Sequence, residues 1–370
     1  MRMTRRSLLG GVLAGLLIPR VARTATDKLL VIYLAKGGWD ATYAFDPHFG
    51  EEVGADPSSA LESAGALSWA GAESRPAVSR FFRQHSSRAA IVNGMAVGAI
   101  AHEMCMRIVL TGSRSPGAAD LGANLGALTG DGLAAPSLIL SGARYPGSYG
   151  GAQVPLTRTL TDIVSQPLDS DVQAFLRSEA QRLGMQDHDQ ALGRLETLAQ
   201  AGSSLALDEG ASWSERASVG LTALAAGLSR CIVIQGTTPL LRQWDSHNSN
   251  LLNQDSCFEH AFGQLAELSA GIDSLDLRGR TTVLALSEMG RTPAENHGQG
   301  KDHWPYTSLL AWGPTVVAGV HGSSNATLVG QPIDDAVLTP GRLAAGLLEH
   351  FDADPALAYP GVTPWRALWS

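Results

Sequence analysis

The chain contains 370 residues with a formal net charge of −8, and 44% of its residues are hydrophobic while 17% are charged. These values predict a globular protein with a sizeable core and exclude a disordered chain. The acidic balance argues against nucleic acid or an anionic membrane as the main partner.

The N-terminus carries the features of an export signal. Arg5 and Arg6 form a pair, and a glycine-interrupted apolar stretch follows over residues 8–18. Because that stretch is shorter than the roughly 20 residues that span a bilayer, we expect no stable membrane span. The pattern predicts a twin-arginine signal peptide over residues 1–25, with the twin-arginine export machinery as partner and a periplasmic or secreted protein as product. Residues 1–25 hold five arginines and no acid, so the remaining chain carries a charge of −13.

Apolar runs and helical patterns alternate along the remaining chain. Continuous apolar runs predict strands buried on both faces of a mostly parallel sheet at residues 29–34, 89–92, 137–140, 231–234, 283–286 and 307–312. Apolar residues at helical spacing predict helices at residues 76–86, 102–112, 118–128, 172–201, 211–229, 258–275 and 340–351. Residues 41–77 are expected to form loops with one short helix.

Acidic and histidine side chains follow several of these strands. In open α/β sheets, ligands bind beyond the carboxyl ends of the strands, so a parallel sheet would gather such side chains at one edge. Carboxylates together with imidazoles are the composition of a one- or two-metal hydrolytic site. The residues concerned are Asp40, His102, Asp245, His247 and Glu288, followed in the last loop by Arg291, Asp302 and His303.

Each of these residues also has a purely structural interpretation. Asp40 fits a turn or a helix cap, and His102 fits the first position of a helix. Asp245 and His247 face the same side of an extended backbone, which suits metal ligation but also a local hydrogen bond. Glu288 fits a local ion pair within a polar loop.

These motifs together resemble a known group of exported bacterial proteins, the domain-of-unknown-function family fifteen-oh-one. The resemblance rests on GGWD, WDSH, SEMGRT with the KDH that follows, and GQPI, which occur in the order typical of that family. The family is similar to the alkaline phosphatase and sulfatase superfamily. The resemblance therefore implies one domain over residues 26–370, with an alkaline-phosphatase-like three-layer α/β/α sandwich around a mostly parallel central sheet.

The resemblance also implies one or two divalent metal ions (zinc, manganese or calcium) at the carboxyl edge of the sheet. Met289 stands where the superfamily has a metal-binding histidine, and Ala101 stands where related sequences have a serine before the histidine. Asp302 and His303 would point apart in an extended backbone, which favours His303 as a ligand. The implied ligands are Asp40, Asp245, His247, Glu288, Asp302 and His303.

Two functions follow from this interpretation. The first is an exported metal-dependent hydrolase of phosphate or sulfate esters that uses metal-activated water, with a small anionic ester as substrate. In it, His102 serves as acid/base or ligand and Arg291 orients the anionic group of the substrate. The second is a non-catalytic exported binding or assembly protein with a degenerate site, which the identities of Ala101 and Met289 favour.

Overall fold

The computed structural model describes residues 28–50, 52–130, 133–156 and 210–370, with the single positions 178, 193, 197 and 207. The signal peptide predicted over residues 1–25 lies outside these ranges. So does the helix predicted over residues 172–201, apart from positions 178, 193 and 197, which are helical.

Twelve strands and six α-helices are described. The strands are β1 (Leu29–Leu34), β2 (Ala60–Ala64), β3 (Leu67–Gly71), β4 (Ala89–Ala96), β5 (Ser137–Ile139), β6 (Gln153–Pro155), β7 (Cys231–Gln235), β8 (Thr281–Leu286), β9 (Gly290–Arg291), β10 (His303–Trp304), β11 (Tyr306–Trp312) and β12 (Gly319–His321). The helices are α1 (Pro76–His85), α2 (His102–Thr111), α3 (Leu121–Thr129), α4 (Trp213–Ala225), α5 (Asn250–Ser274) and α6 (Pro340–His350). None of the described helices is long and apolar enough to cross a membrane.

Eight strands form one central sheet in the order β12-β4-β11-β8-β1-β7-β5-β6. The strand β1 lies in its middle and pairs in parallel with β7 and β8. Among the described strands of this sheet, β11 alone runs against its neighbours β4 and β8. The prediction of a mostly parallel central sheet is confirmed.

Helices cover both faces of this sheet. Side chains alternate along β1, so that Val31 and Tyr33 join a core with α1, α4 and α5, while Leu30 and Ile32 join a second core with α2, α3 and α6. All six residues of β1 are therefore buried, which explains why its sequence is continuously apolar. The three-layer α/β/α arrangement implied by the family resemblance is confirmed.

The segment over residues 41–77 differs from its prediction. A single helical turn does lie at Ala41–Tyr43, but β2 and β3 then form an antiparallel hairpin where loops were expected. Gly65 makes the turn of this hairpin at φ +59°, a left-handed conformation that favours glycine. Alanine, serine and glycine dominate the segment and give little strand signal, so the burial of Trp69 against Phe82 was not visible in the sequence.

The topology determines which loops meet at the carboxyl edge of the sheet. The strands β1, β4, β7 and β8 end at this edge, because they run in the same direction. The strand β11 begins there, because it runs in the opposite direction. The small hairpin of β9 and β10 leads directly into β11, so its residues lie at the same edge as the loops that follow the parallel strands.

Candidate metal centre

Three imidazole rings surround the carboxylate of Asp245 at the carboxyl edge of the sheet. The Nε2 atoms of His303 and His247 lie 3.1 and 3.3 Å from its Oδ1 atom. The Nε2 atom of His102 lies 3.4 Å from its Oδ2 atom. Side chains from three separate segments thus meet around Asp245, and His102, Asp245 and His303 form a group that could hold a metal ion.

The other nitrogen of each ring is occupied by a hydrogen-bond acceptor. The Nδ1 atom of His303 donates to the backbone oxygen of Ile100 over 2.7 Å. The Nδ1 atom of His247 lies 2.9 Å from Asp302, and that of His102 lies 2.8 Å from Glu288. Because carbonyl and carboxylate oxygens only accept, each Nδ1 atom carries a proton. A second proton on Nε2 makes a hydrogen bond to Asp245, and a neutral ring without it presents the lone pair of Nε2 to the centre.

Two of these lone pairs would face each other without a positive charge between them. The Nε2 atoms of His247 and His303 are 3.0 Å apart. With both Nδ1 positions protonated, two neutral rings would repel at this distance, so a shared proton or a metal cation has to lie between them. Orientation of the rings by Nδ1 donors is the arrangement that holds metal-binding histidines in place.

The spacing of the donor atoms fits a tetrahedral ion. A tetrahedral zinc ion with bonds of roughly 2.0–2.1 Å places neighbouring donor atoms about 3.3 Å apart. Asp245 Oδ1, His247 Nε2 and His303 Nε2 form a triangle with edges of 3.3, 3.1 and 3.0 Å. These three atoms therefore already match one face of such a coordination shell, with His102 beside it.

A buried arginine keeps Asp245 ionised and fixes its direction. Burial alone would raise the pKa of Asp245, but hydrogen bonds from Arg291 and His303 outweigh it and lower that pKa to about 2. The Nη2 atom of Arg291 lies 2.7 Å from Asp245 Oδ1, and Nε and Nη1 donate to the carbonyls of Gly38 and Lys301 at 2.9 and 3.0 Å. Because the Arg291 side chain is fully buried and its donors are engaged, it positions Asp245 and is not available to a substrate.

Glu288 and Asp302 act on the imidazoles and are not themselves directed at the centre. Glu288 accepts hydrogen bonds from His102 and from the backbone N–H of Gly37, and its side chain is fully buried. Its contact also raises the pKa of His102 above the usual range, although burial acts in the other direction. Asp302 contacts the Nδ1 atom of His247, and hydrogen bonds from His247 and Asn296 lower the pKa of Asp302.

The neighbouring residues Asp302 and His303 were expected to point apart. Both contact the same ring, because His247 meets Asp302 at Nδ1 and His303 at Nε2. Asp245 and His247 were expected to face the same side of the backbone, with Ser246 facing away. Both lie in the cluster, whereas the fully buried Ser246 donates a hydrogen bond to Asn250.

Comparison with known proteins assigns the family. The family described as "Protein of unknown function (DUF1501)" matches residues 152–366 of this sequence, a range that includes Asp245, His247, Glu288, Arg291, Asp302 and His303 but not Asp40 or His102. The chain belongs to this family. No curated protein matches the sequence.

Solved structures similar to this DUF1501 protein are distant. A Bacteroides thetaiotaomicron protein from a locus for glycosaminoglycan metabolism has 9% identity and a TM-score of 0.48, over 91% of this chain and 75% of its own. A putative sulfatase from the same organism has 10% identity and a TM-score of 0.43, over 92% and 76%. A member of the alkaline phosphatase superfamily from Vibrio parahaemolyticus has 8% identity and a TM-score of 0.44, over 91% and 70%.

Asp40 lies apart from the imidazole cluster in this DUF1501 protein. Its Oδ2 atom pairs with Lys301 Nζ at 2.7 Å and accepts a hydrogen bond from Asn250 at 2.9 Å. Its Oδ1 atom accepts from the side chain of Thr42 at 2.7 Å and from its backbone N–H at 3.2 Å, as an N-cap does. The capping interpretation of Asp40 describes these contacts, and the carboxylate has no contact with the three histidines.

The hydroxyl groups close to His102 in the sequence have no contact with the centre. Thr111 ends α2, about 14 Å from His102 at a rise of about 1.5 Å per residue, and Ser113 follows the C-cap Gly112. Ser287 is buried and donates to the carbonyl of Ala35. Within the described ranges, the hydrogen bonds of the three histidines and Asp245 involve no serine or threonine hydroxyl. Met289 is fully buried among apolar side chains.

Three contributors to the site were missed by the sequence interpretation. The backbone oxygen of Ile100 orients His303, and a backbone acceptor leaves no residue-type signal. Asn296 donates to Asp302 and to the carbonyl of His247, and Lys301 pairs with Asp40. Asn296 and Lys301 are polar residues inside the predicted site loop. Only their burial and their partners, which the sequence does not show, distinguish them from the other polar residues of that loop.

The centre is open to solvent on one side. The side chains of His247 and Asp245 are 42% and 39% exposed, whereas Arg291 and Glu288 below them are fully buried. A small molecule therefore has access to the donor atoms, while the residues that hold them are shielded.

Proposed function

We propose that this chain is an exported metal-dependent hydrolase of phosphate or sulfate esters, with one divalent ion held by His102, Asp245, His247 and His303. The observation that carries the proposal is the convergence of three Nε2 atoms on Asp245, with each Nδ1 atom held by its own acceptor. A cluster that served only for packing would not need all three rings fixed in the same tautomer.

The donor set favours zinc or another first-row transition metal. Imidazole nitrogen suits zinc, iron, nickel and copper, whereas calcium takes six to eight oxygen ligands. Three of the four donor atoms here are nitrogens, so zinc fits better than the calcium or manganese also considered from the sequence.

When bound, a divalent ion would supply Lewis-acid chemistry, by lowering the pKa of a coordinated water and stabilising charge on ester oxygens. The residues of the chain prepare the site for this chemistry. Glu288 and Asp302 hold the protons of His102 and His247 on Nδ1 and keep Nε2 directed inward. Arg291 orients Asp245 and balances part of its charge.

The charge balance of the cluster suits an anionic substrate only when a cation is present. Asp245, Glu288 and Asp302 bring three negative charges and Arg291 brings one positive charge, which leaves −2 with neutral imidazoles. A divalent ion cancels this charge and becomes the largest local charge in the site. Metal binding would therefore convert a centre that repels phosphate or sulfate esters into one that accepts them.

Metal content and ester hydrolysis test the proposal together. We expect purified protein to hold close to one equivalent of metal by elemental analysis and to hydrolyse an aryl phosphate or an aryl sulfate. His303→Ala should lose both properties. His297→Ala is the matched control, because His297 is an exposed histidine of the same loop outside the cluster, and it should retain both. Wild-type protein that remains metal-free after exposure to zinc would refute the proposal.

A second candidate is the non-catalytic binding or assembly protein with a structural ion. Four protein donors suffice to close a tetrahedral site, as in structural zinc centres, and catalytic sites usually keep one position open. The solvent exposure of His247 and Asp245 favours the hydrolase. A protein that binds zinc, hydrolyses neither ester and unfolds at a much lower temperature after chelation would favour the structural ion instead.

A further inference from the structure

A buried ion pair lies beneath the metal centre and connects to it through the backbone. The side chains of Asp40 and Lys301 are both fully buried, and Lys301 Nζ lies 2.7 Å from Asp40 Oδ2. Asn250 and Thr42 donate to the remaining lone pairs of Asp40. The carboxylate is therefore satisfied, and Asp40 lies in the loop that follows β1, a strand in the middle of the sheet.

Lys301 belongs to the segment that carries two residues of the centre. It directly precedes Asp302 and His303. Its backbone N–H donates to the carbonyl of Ser246 over 3.0 Å, and Ser246 lies between Asp245 and His247. Its own carbonyl accepts from Arg291, which holds Asp245. A single residue thus connects the segment of Asp302 and His303 to the segment of Asp245 and His247, and it contacts the arginine that holds Asp245.

The packing around Lys301 leaves little freedom for the segment to shift. A Cβ atom added to the preceding residue, Gly300, would lie 1.9 Å from the carbonyl oxygen of His247. The two backbones therefore run in direct contact at this point. A displacement of Lys301 along the chain would shift Asp302 and His303 with it, and both would then move relative to the ring nitrogens of His247 that they contact.

Burial of an ion pair is a poor way to gain stability. Taking two charges out of water costs most of what their attraction returns, and apolar residues of similar volume would often be equally stable. A buried pair does fix a register, because either partner alone would leave an unpaired charge in the core. Functional centres require their ligands to be held to within a fraction of an ångström by such supporting contacts.

We infer that the Asp40–Lys301 pair is a positioning device that anchors the segment Gly300–His303 to the end of β1 and so sets the distance between the imidazoles of His247 and His303. The inference rests on the proposed metal centre. It assigns Asp40 a role in metal binding that acts through Lys301 and His303, without contact with the ion.

Metal affinity of the full chain, measured with zinc in competition with a chromophoric chelator, tests this role. We expect Lys301→Met to weaken zinc binding at least tenfold. The absorption spectrum of the cobalt-loaded protein reports the geometry of the donor atoms, and we expect Lys301→Met to change its ligand-field bands. A purely structural residue would lower stability and leave both the affinity and the spectrum of the folded protein unchanged.

A double variant guards against simple unfolding. Asp40→Asn combined with Lys301→Met removes both charges together, so no unpaired charge stays in the core, and we expect its thermal stability to approach that of the wild type. Its zinc affinity should nevertheless remain weak, because the anchor is missing. Asp255→Asn is the matched control, since Asp255 pairs with the buried Arg75 away from the centre, and it should lower stability with zinc affinity unchanged within twofold.

The outcomes separate this inference from the proposed function. Wild-type protein that binds no zinc and no cobalt overturns the metal centre and the positioning role together. Wild-type binding together with unchanged affinity and spectrum in the double variant overturns the positioning role alone and leaves the metal centre in place.

Discussion

Replacement of Glu288 by glutamine tests whether the imidazoles are held for metal binding. Glu288 receives the Nδ1–H of His102 at 2.8 Å and the backbone N–H of Gly37 at 2.8 and 3.0 Å. His102 and Gly37 both donate to Oε1, and Gly37 also lies 3.0 Å from Oε2, so the NH₂ group of a glutamine would face the N–H of Gly37 and the charge that strengthens the bond from His102 would be lost. Glu288→Gln should therefore weaken the hold on His102 while preserving the volume of the side chain.

The expected loss of zinc affinity follows from the burial of this carboxylate. Removing an acceptor that orients a metal-bound histidine typically weakens affinity by about 10–100-fold, which corresponds to about 1.4–2.7 kcal/mol. We expect Glu288→Gln to fall in the upper part of this range, because its side chain is fully buried and water cannot take its place. Asp302→Asn should stay below about tenfold, because the side chain of Asp302 is 60% exposed and water can bind His247 instead.

The assay is zinc competition against a chromophoric chelator at constant pH, with thermal unfolding of the metal-free proteins measured in parallel. Glu215→Gln is the control, because Glu215 forms a capping box with Ser212 on the surface of α4 and should leave zinc affinity unchanged. Equal affinities of Glu288→Gln and wild type, or a larger loss in Asp302→Asn than in Glu288→Gln, would refute the proposed order of contributions.

Two further predictions concern stability and are independent of metal binding. Burial, together with the charge of Arg88, lowers the pKa of His85 from 6.5 to about 4. The folded state therefore favours the neutral ring, and this contribution to the free energy of unfolding is fully present above pH 6.5 and is lost as the pH falls through 4. Denaturation as a function of pH should show about 1–3 kcal/mol of acid destabilisation that His85→Phe removes, and an unchanged profile would contradict this. Gly346→Ala should cost about 2 kcal/mol, because its Cβ would lie 2.0 Å from the carbonyl oxygen of Trp365. Gly263→Ala, at an open position of α5, should instead stabilise by up to about 1 kcal/mol, and equal effects of the two variants would contradict the packing argument.

The sequence was informative where burial leaves a periodic trace. The strand β1 matches its predicted bounds, because a strand covered on both faces is apolar at every position. The position of Asp245 and Glu288 at one edge followed from the common direction of β7 and β8. Burial is a property of whole elements, and a pattern of residue types records it well.

The internal arrangement of the site depends on quantities that a pattern does not record. His303 reaches the centre because β11 is antiparallel, and its apolar sequence is the same for either direction. Asp245 faces the Nε2 atom of an imidazole whereas Glu288 faces an Nδ1 atom, and the identity of the residues does not record this difference. The partner of Asp40 could not be predicted, because Lys301 lies far away in the sequence.

The same arrangement predicts the stoichiometry of the centre. A second ion at the end of β1 would need the carboxylate of Asp40, but Lys301 already places a positive charge 2.7 Å from it. It would also need a donor at position 289, where the side chain is a methionine buried in the apolar core. Dialysed protein should therefore contain one equivalent of metal and not two, and titration with cobalt should saturate after the first equivalent. A second tightly bound equivalent that disappears in Asp40→Asn would show that the ion displaces Lys301, and Asp40 would then be a ligand.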